Sequence, residues 1–344
     1  MKISEYVSTG HPDKVADYIS EYILDWYLAV DPAVRYAVEV QIKDNHVTLG
    51  GEITTSYDDG EPNYTVLVKN ALAEIGYTQE YCDKWGTENT INPSLLTVQA
   101  HISKQSPDIA QGVNNDGWGD QGIFWGMACR GPNNLPADYF LAQELCETLY
   151  GDARYNGFPW GLDIKTQIVM DDNDNLLKVI VAAPCQDADT EHDLRETVKE
   201  WVAEMELNRK AEIIINGTGA YVKHASVGDC GTTGRKLVVD FYGGNCRIGG
   251  GCPWTKDPTK ADLTLNLYAR VLAKQALDEY PDIQTAYVSI GCCIGRPEID
   301  VTIYDEKHNV LKTDTYRKTA KEIINTYGLD KPIYRNLCKY GLWS

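Results

Sequence analysis

Apolar side chains recur at two spacings along the chain, and the switches between them mark out its elements. Over residues 13–30, Ala16, Ile19, Ile23, Trp26, Tyr27 and Val30 fall at helical spacing. That predicts an amphipathic helix with Pro12 in its first turn and Asp31-Pro32 at its end. The period then drops to two. Val38, Val40 and Ile42 alternate with Glu39, Gln41 and Lys43; after an Asp44-Asn45-His46 turn, Val47, Leu49 and Ile53 alternate with Thr48, Gly50, Glu52 and Thr54. These runs read as a hairpin with Glu39 and Glu52 on its polar face. A helix is expected from about 63 to 75, closed by Gly76, then a strand over 95–102 and a loop-like stretch at 103–122. Further on, the pattern predicts a helix near 137–150, a hairpin of 164–170 and 176–183, and a helix bearing Leu194, Val198, Val202 and Met205. The last third reads as strands at 213–215, 236–241, 285–290 and 299–304, with a long helix near 258–279. Hairpins followed by helices in this rhythm imply a mixed α/β (α+β) architecture with several sheets.

Composition then excludes several functions. The 344 residues carry 50 Asp+Glu against 32 Lys+Arg, a net charge of −18. No nucleic-acid partner is expected, because a phosphate backbone demands a basic face. No apolar run reaches the roughly 18 residues of a membrane helix. The opening MKISEYVSTGHPDK lacks the apolar stretch of an export signal, so no membrane partner and a cytoplasmic location are expected. The ten cysteines are scattered without any C-x-x-C, which reads as reduced thiols. In so acidic a chain, basic residues gathered beside glycines carry information.

Three segments gather them. In Thr9-Gly10-His11-Pro12-Asp13-Lys14, a helix start leaves backbone donors facing outward, which favours an anion. His11 suits a phosphate oxygen there and Asp13 a divalent cation; the plainer reading is a helix cap. In 228–236, a glycine-rich turn delivers adjacent Arg235 and Lys236, a costly pairing unless an anion lies between them. The plainer reading of that segment is a solvated loop. In 249–262, three glycines permit close backbone approach, Lys256 and Lys260 follow, and Asp262 is a candidate metal ligand. Thr255 and Asp257 break the phosphate-loop pattern there. Asp171-Asp172-Asn173-Asp174-Asn175 starts like a calcium loop but lacks its glycine and glutamate, and reads as a hairpin turn. No G-x-S-x-G motif occurs, and Trp118, Trp125 and Trp254 read as core residues.

In order and with similar spacing, GHPDKVADYIS (10–20), GGEITTS (50–56), KQSPDIAQGV (104–113), GDQG (119–122), DIKTQ (163–167), GDCGTTGRKLVVDFYGG (228–244) and KDPTKAD (256–262) carry a family likeness. From Ser4 to about Ile303 the chain resembles the bacterial and eukaryotic type of S-adenosylmethionine synthetase (methionine adenosyltransferase). The resemblance implies three similar α/β subdomains with pseudo-threefold symmetry, here 1–104, 115–216 and 217–344, with 105–114 as a loop over the active site. It implies a homo-oligomer, dimer or tetramer, with active sites between subunits. It further implies that methionine sulfur attacks C5′ of ATP, that tripolyphosphate leaves and is hydrolysed to pyrophosphate and phosphate, and that two Mg²⁺ per site and K⁺ assist.

Residue by residue, the resemblance assigns His11 to the leaving phosphate, and Lys165, Arg235, Lys236 and Lys256 to the polyphosphate. His11, Lys165, Arg235 and Lys256 form its catalytic set. Asp163, Asp229 and Cys252 go to the nucleotide and Tyr221 to adenine. Asp13 and Asp262 would hold Mg²⁺ and Glu39 K⁺; Glu52, Gln105, Asp229 and Lys260 would hold methionine's charged ends, with Ile290 along its side chain. The chemistry of these residues agrees: a departing tripolyphosphate needs cations aimed at it, and a thioether has no proton for a base to remove.

Several positions depart from the family. The stretch between Val113 and Asp120 is short, Ala220 stands where Arg is usual, and Thr9 replaces Glu. Cys252-Pro253-Trp254-Thr255 replaces smaller residues, and Cys292-Cys293-Ile294-Gly295 differs from the family near the methionine pocket. Those changes keep two alternatives in view: a variant using another sulfur amino acid or methionine analogue, and a non-catalytic paralogue binding a partner subunit. Retention of His11, Asp13, Asp229, Arg235, Lys256 and Lys260 together argues against the second.

Overall fold

The computed structural model describes residues 1–58, 60–104 and 117–343, so Gln105 and the 105–114 loop lie outside the described residues. The predicted first helix runs Pro12–Val30 and is capped by His11, whose ring Nδ1 accepts the Asp13 amide at 3.2 Å. It is buried nearly all round, charged residues included, because it packs against the helices Tyr64–Ile75 and Tyr334–Tyr340 and against two strands.

The strands are β1 (Lys2–Val7), β2 (Arg35–Lys43), β3 (His46–Thr54), β4 (Thr97–Ser103), β5 (Gly122–Cys129) and β6 (Lys165–Met170). There follow β7 (Leu176–Ala182), β8 (Glu212–Ile215), β9 (Gly231–Thr232), β10 (Thr285–Cys292), β11 (Glu298–Tyr304) and β12 (Val310–Arg317). They make three four-stranded sheets, each built on an antiparallel hairpin: β2–β3, β6–β7 and β10–β11. The first strand of each hairpin pairs on its free side with a strand from far away in sequence: β9 on β2, β1 on β6, β5 on β10. The second strand takes β4, β8 and β12 respectively, the first two in parallel. This mixed α/β fold is therefore stitched together by exchanged edge strands, which fix the three sheets relative to one another.

The calcium-like run at 171–175 is an Asx-type hairpin turn: Asp171 Oδ1 accepts the amides of Asn173 and Asn175 at 2.8 and 2.9 Å. Asp305 repeats the device between β11 and β12, accepting from Lys307 at 2.9 Å and Asn309 at 2.8 Å. The expected strand at 236–241 is instead a single helical turn, Leu237–Asp240. A short apolar run does not distinguish the two by period, and the turn brings Val239, Asp240 and Phe241 inward together. Trp118 and Trp254 are core residues, with Trp118 Nε1 donating to the Lys318 carbonyl at 3.1 Å. All ten cysteines are free. Among the described residues, no helix is long and apolar enough to cross a membrane.

Candidate functional site

The site begins where a glycine lets two segments touch. A Cβ on Gly231 would lie 2.0 Å from the Pro12 carbonyl oxygen, so only glycine lets 231–236 cross the N-terminus of the first helix. At that crossing the Asp13 carboxylate accepts the Thr232 amide at 2.9 Å and Lys236 Nζ at 2.5 Å, with Arg235 Nε 3.7 Å away. Burial pushes the Asp13 carboxyl upward, but the Lys236 and Thr232 hydrogen bonds outweigh it and hold the group below its ordinary value.

His11 lies alongside, 7% exposed. Burial, and then Lys236, push its pKa down to about 3; Asp13 opposes the shift and Lys165 adds to it. The ring is therefore neutral, and because Nδ1 accepts the Asp13 amide, the proton is assigned to Nε2. His11 thus offers one hydrogen-bond donor and no charge. Asp163, just before β6, accepts the Ala225 amide at 2.9 Å; burial pushes its pKa up to about 7, the amide and Lys165 pull it back, and Asp229 pushes it further. His11, Asp13, Asp163, Lys165, Asp229, Arg235 and Lys236 form one electrostatic neighbourhood, with Lys165, Asp229 and Arg235 exposed on its open side.

A second group is built by 249–262. The Gly251 amide donates to Asp262 Oδ1 at 2.8 Å, and Lys256 Nζ pairs with Asp262 Oδ2. Asp262 stands in the first turn of the helix Ala261–Glu279, where its charge complements the helix dipole. Lys260 approaches the fully buried Asp257 at 3.6 Å, and Asp257 in turn accepts the Tyr36 amide at 2.8 Å. Lys256 therefore sits with Asp262 and not on Asp13. Glu39, projecting from β2, joins the two groups: one carboxylate oxygen accepts the Thr233 hydroxyl and the other the Thr255 hydroxyl at 3.2 Å. Thr255 has φ 72°, left-handed backbone that costs a β-branched residue on the order of 1–3 kcal/mol.

The remaining expected residues are more dispersed. Cys252 is half-buried against Gly234, beside the first group. Glu52 is exposed on β3, and Tyr221 is half-buried with its carbonyl accepting the Cys185 amide at 2.9 Å. Ile290 is wholly buried in β10, in register with Phe124 and Val301. A cavity of about 610 Å³ opens farther along that strand, lined by Gln121, Gly122, Ile123, Cys292, Cys293 and Arg296 among others.

Family profiles match three consecutive parts of the chain: the S-adenosylmethionine synthetase N-terminal domain over 1–107, its central domain over 115–221 and its C-terminal domain over 224–344. A solved structure described as an unusual S-adenosylmethionine synthetase from Campylobacter jejuni superposes with a TM-score of 0.89 at 32% identity, covering 99% of this chain and 93% of that one. The chain belongs to the S-adenosylmethionine synthetase family. It is a transferase of S-adenosylmethionine synthesis.

Beneath the surface of this synthetase lies an ion cluster that the sequence did not announce. Lys14 bonds Asp17 at 3.1 Å and Asp240 at 2.6 Å, and sits 4.9 Å from the centre of the Trp254 ring. Asp17 also accepts the Gly234 amide at 2.9 Å, which anchors the turn that presents Arg235 and Lys236. The signal was present as charges at 13, 14, 17, 21 and 25 on one helix, but a polar helix face ordinarily faces water. For a metal, the described residues offer no cluster of three His, Cys, Asp or Glu side chains. Asp13 and Asp262 are single carboxylates, a donor set that fits Mg²⁺ brought in by phosphate and water oxygens and does not fit a protein-built cage.

Proposed function

We propose that this synthetase joins ATP to L-methionine, releasing tripolyphosphate that it then hydrolyses to pyrophosphate and phosphate, in sites between two protomers of a homo-oligomer in the cytoplasm. What supports this most is the gathering of Lys165, Arg235 and Lys236 about His11 and Asp13 in a chain of net charge −18. Their fields are neutralised by Asp13 and Asp163 until a polyanion takes the lysines over, which keeps an otherwise repulsive cluster foldable. Mg²⁺ arriving with the triphosphate would be held by Asp13 and Asp262 and would neutralise charge developing on the leaving group.

The chain's own residues do the rest. His11 Nε2–H donates to the oxygen leaving C5′, while Lys165, Arg235, Lys236 and, from the second group, Lys256 hold the tripolyphosphate. Asp163 and Cys252 border the nucleotide, with Tyr221 against adenine. Glu52, Gln105, Asp229 and Lys260 hold methionine's ammonium and carboxylate, aiming its sulfur in line with C5′; such orientation supplies at best about 7–11 kcal/mol. Lys256→Ala tests the assignment. Steady-state kinetics should show kcat falling far more than methionine KM rises, because that charge matters most as the leaving group separates. Equal losses in both would count against it.

A further inference from the structure

The Glu39 carboxylate, which the family resemblance gives to K⁺, is already engaged on both oxygens. Thr233 donates its hydroxyl to one and Thr255 to the other, at 3.2 Å in the second case. We propose that the Thr255 hydroxyl stands in for the monovalent cation at Glu39, so that this synthetase works without K⁺.

Three observations carry the proposal. First, the backbones that carry the two hydroxyls are held in place. Thr233 Oγ1 accepts the Val40 amide at 3.2 Å, and its own amide donates to the Val40 carbonyl at 3.0 Å. Thr255 is completely buried; its amide donates to Glu21 at 2.5 Å and its carbonyl accepts the Val38 amide at 3.0 Å. A cation at Glu39 would have to compete with these two hydroxyl protons, one on each carboxylate oxygen, and share only the lone pairs that Thr233 and Thr255 leave open. Second, Thr255 occupies left-handed backbone at φ 72°, where glycine would sit without strain. A β-branched residue kept at such a position earns its place through its side chain, and the contact that side chain makes at the site is with Glu39. Third, the bridge does what a shared cation would do. Thr233 is two residues before Arg235 and Thr255 immediately precedes Lys256, so Glu39 clasps both cationic segments at once. Thr255 is a positioning residue: it touches no substrate and acts through Glu39.

The test compares the native chain with Thr255→Ser, Thr255→Val and Thr255→Gly in buffers whose only added monovalent cation is K⁺ or tetramethylammonium. The activity arm rests on the function proposed above; the binding arm does not, since it follows ²⁰⁵Tl⁺ resonance broadening and the K⁺-induced shift of the melting temperature in the ligand-free protein. The native chain and Thr255→Ser, which keeps the hydroxyl, should change rate by less than about twofold with K⁺ and show neither Tl⁺ binding nor a melting shift. Thr255→Gly and Thr255→Val should gain at least about fivefold from K⁺ and acquire both binding signals. Tl⁺ or K⁺ binding by the native chain, or its stimulation by K⁺, would overturn the proposal, as would indifference to K⁺ in all variants that fold. Lack of turnover in every salt would count against the proposed function alone, with the binding arm still deciding this point.

Discussion

His11 shows how one proton position sets what a residue contributes. Held at about 3 by burial and Lys236, its native imidazole stays neutral across the physiological range, whereas in the unfolded chain it takes a proton near pH 6.5. The unfolded state therefore binds more protons below pH 6.5, and the stability this group contributes is complete above that value and lost as pH falls toward 3. At full effect the slope is about 1.4 kcal/mol per pH unit. Buried Asp17 and half-buried Asp163, both pushed up to about 7, act in the opposite sense over part of this range. The comparison with His11→Asn isolates the histidine. Urea unfolding between pH 6.5 and 5 should show the native chain losing stability more steeply than His11→Asn on acidification, and parallel curves would contradict the buried, neutral His11. At this scale much of the site was legible: His11, Asp13, Arg235 and Lys236 stand in glycine-marked segments and do meet. Thr233 and Thr255 were not, because a hydroxyl's role depends on a partner brought in by folding.

Among the elements, the crossing of β9 over the first helix carries the greatest local consequence. Since a Cβ on Gly231 would meet the Pro12 oxygen at 2.0 Å, Gly231→Ala must push the two segments apart and loosen Thr232, Arg235 and Lys236 from Asp13. Chemical denaturation should report a loss of about 2 kcal/mol or more, as for overpacking elsewhere. A loss below about 0.5 kcal/mol, the range of ordinary surface changes, would show that the crossing is slack. The hairpins could be read from periodicity because one face of each is buried, and the first helix because its apolar residues keep helical spacing even though it is buried nearly all round. β12 escaped because it is exposed along most of its length and so lacks alternation, and β1 and β5 because each completes a sheet belonging to a distant part of the chain. The turn at 237–240 failed as a strand because its inward Asp240 answers to Lys14, more than two hundred residues earlier.

For the whole molecule, three stitched sheets hold two cationic groups, one on Asp13 and one on Asp262, bridged through Glu39. If sites are shared between protomers, with His11 and Lys256 supplied by opposite chains, then His11→Asn and Lys256→Ala damage different halves. Mixing the two inactive variants under exchange should place both lesions in one site of each hybrid dimer and leave the other intact, restoring about a quarter of native activity. No recovery, with exchange verified by mass, would put both residues in the same protomer's site.

The account rests on an intact triphosphate being held as a leaving group while adenosyl passes to sulfur. The most direct measurement is mass spectrometry of the products formed from ATP, Mg²⁺ and L-methionine. S-adenosylmethionine, pyrophosphate and phosphate in equal amounts are predicted; ADP or AMP as the nucleotide product, with methionine unchanged, would contradict it.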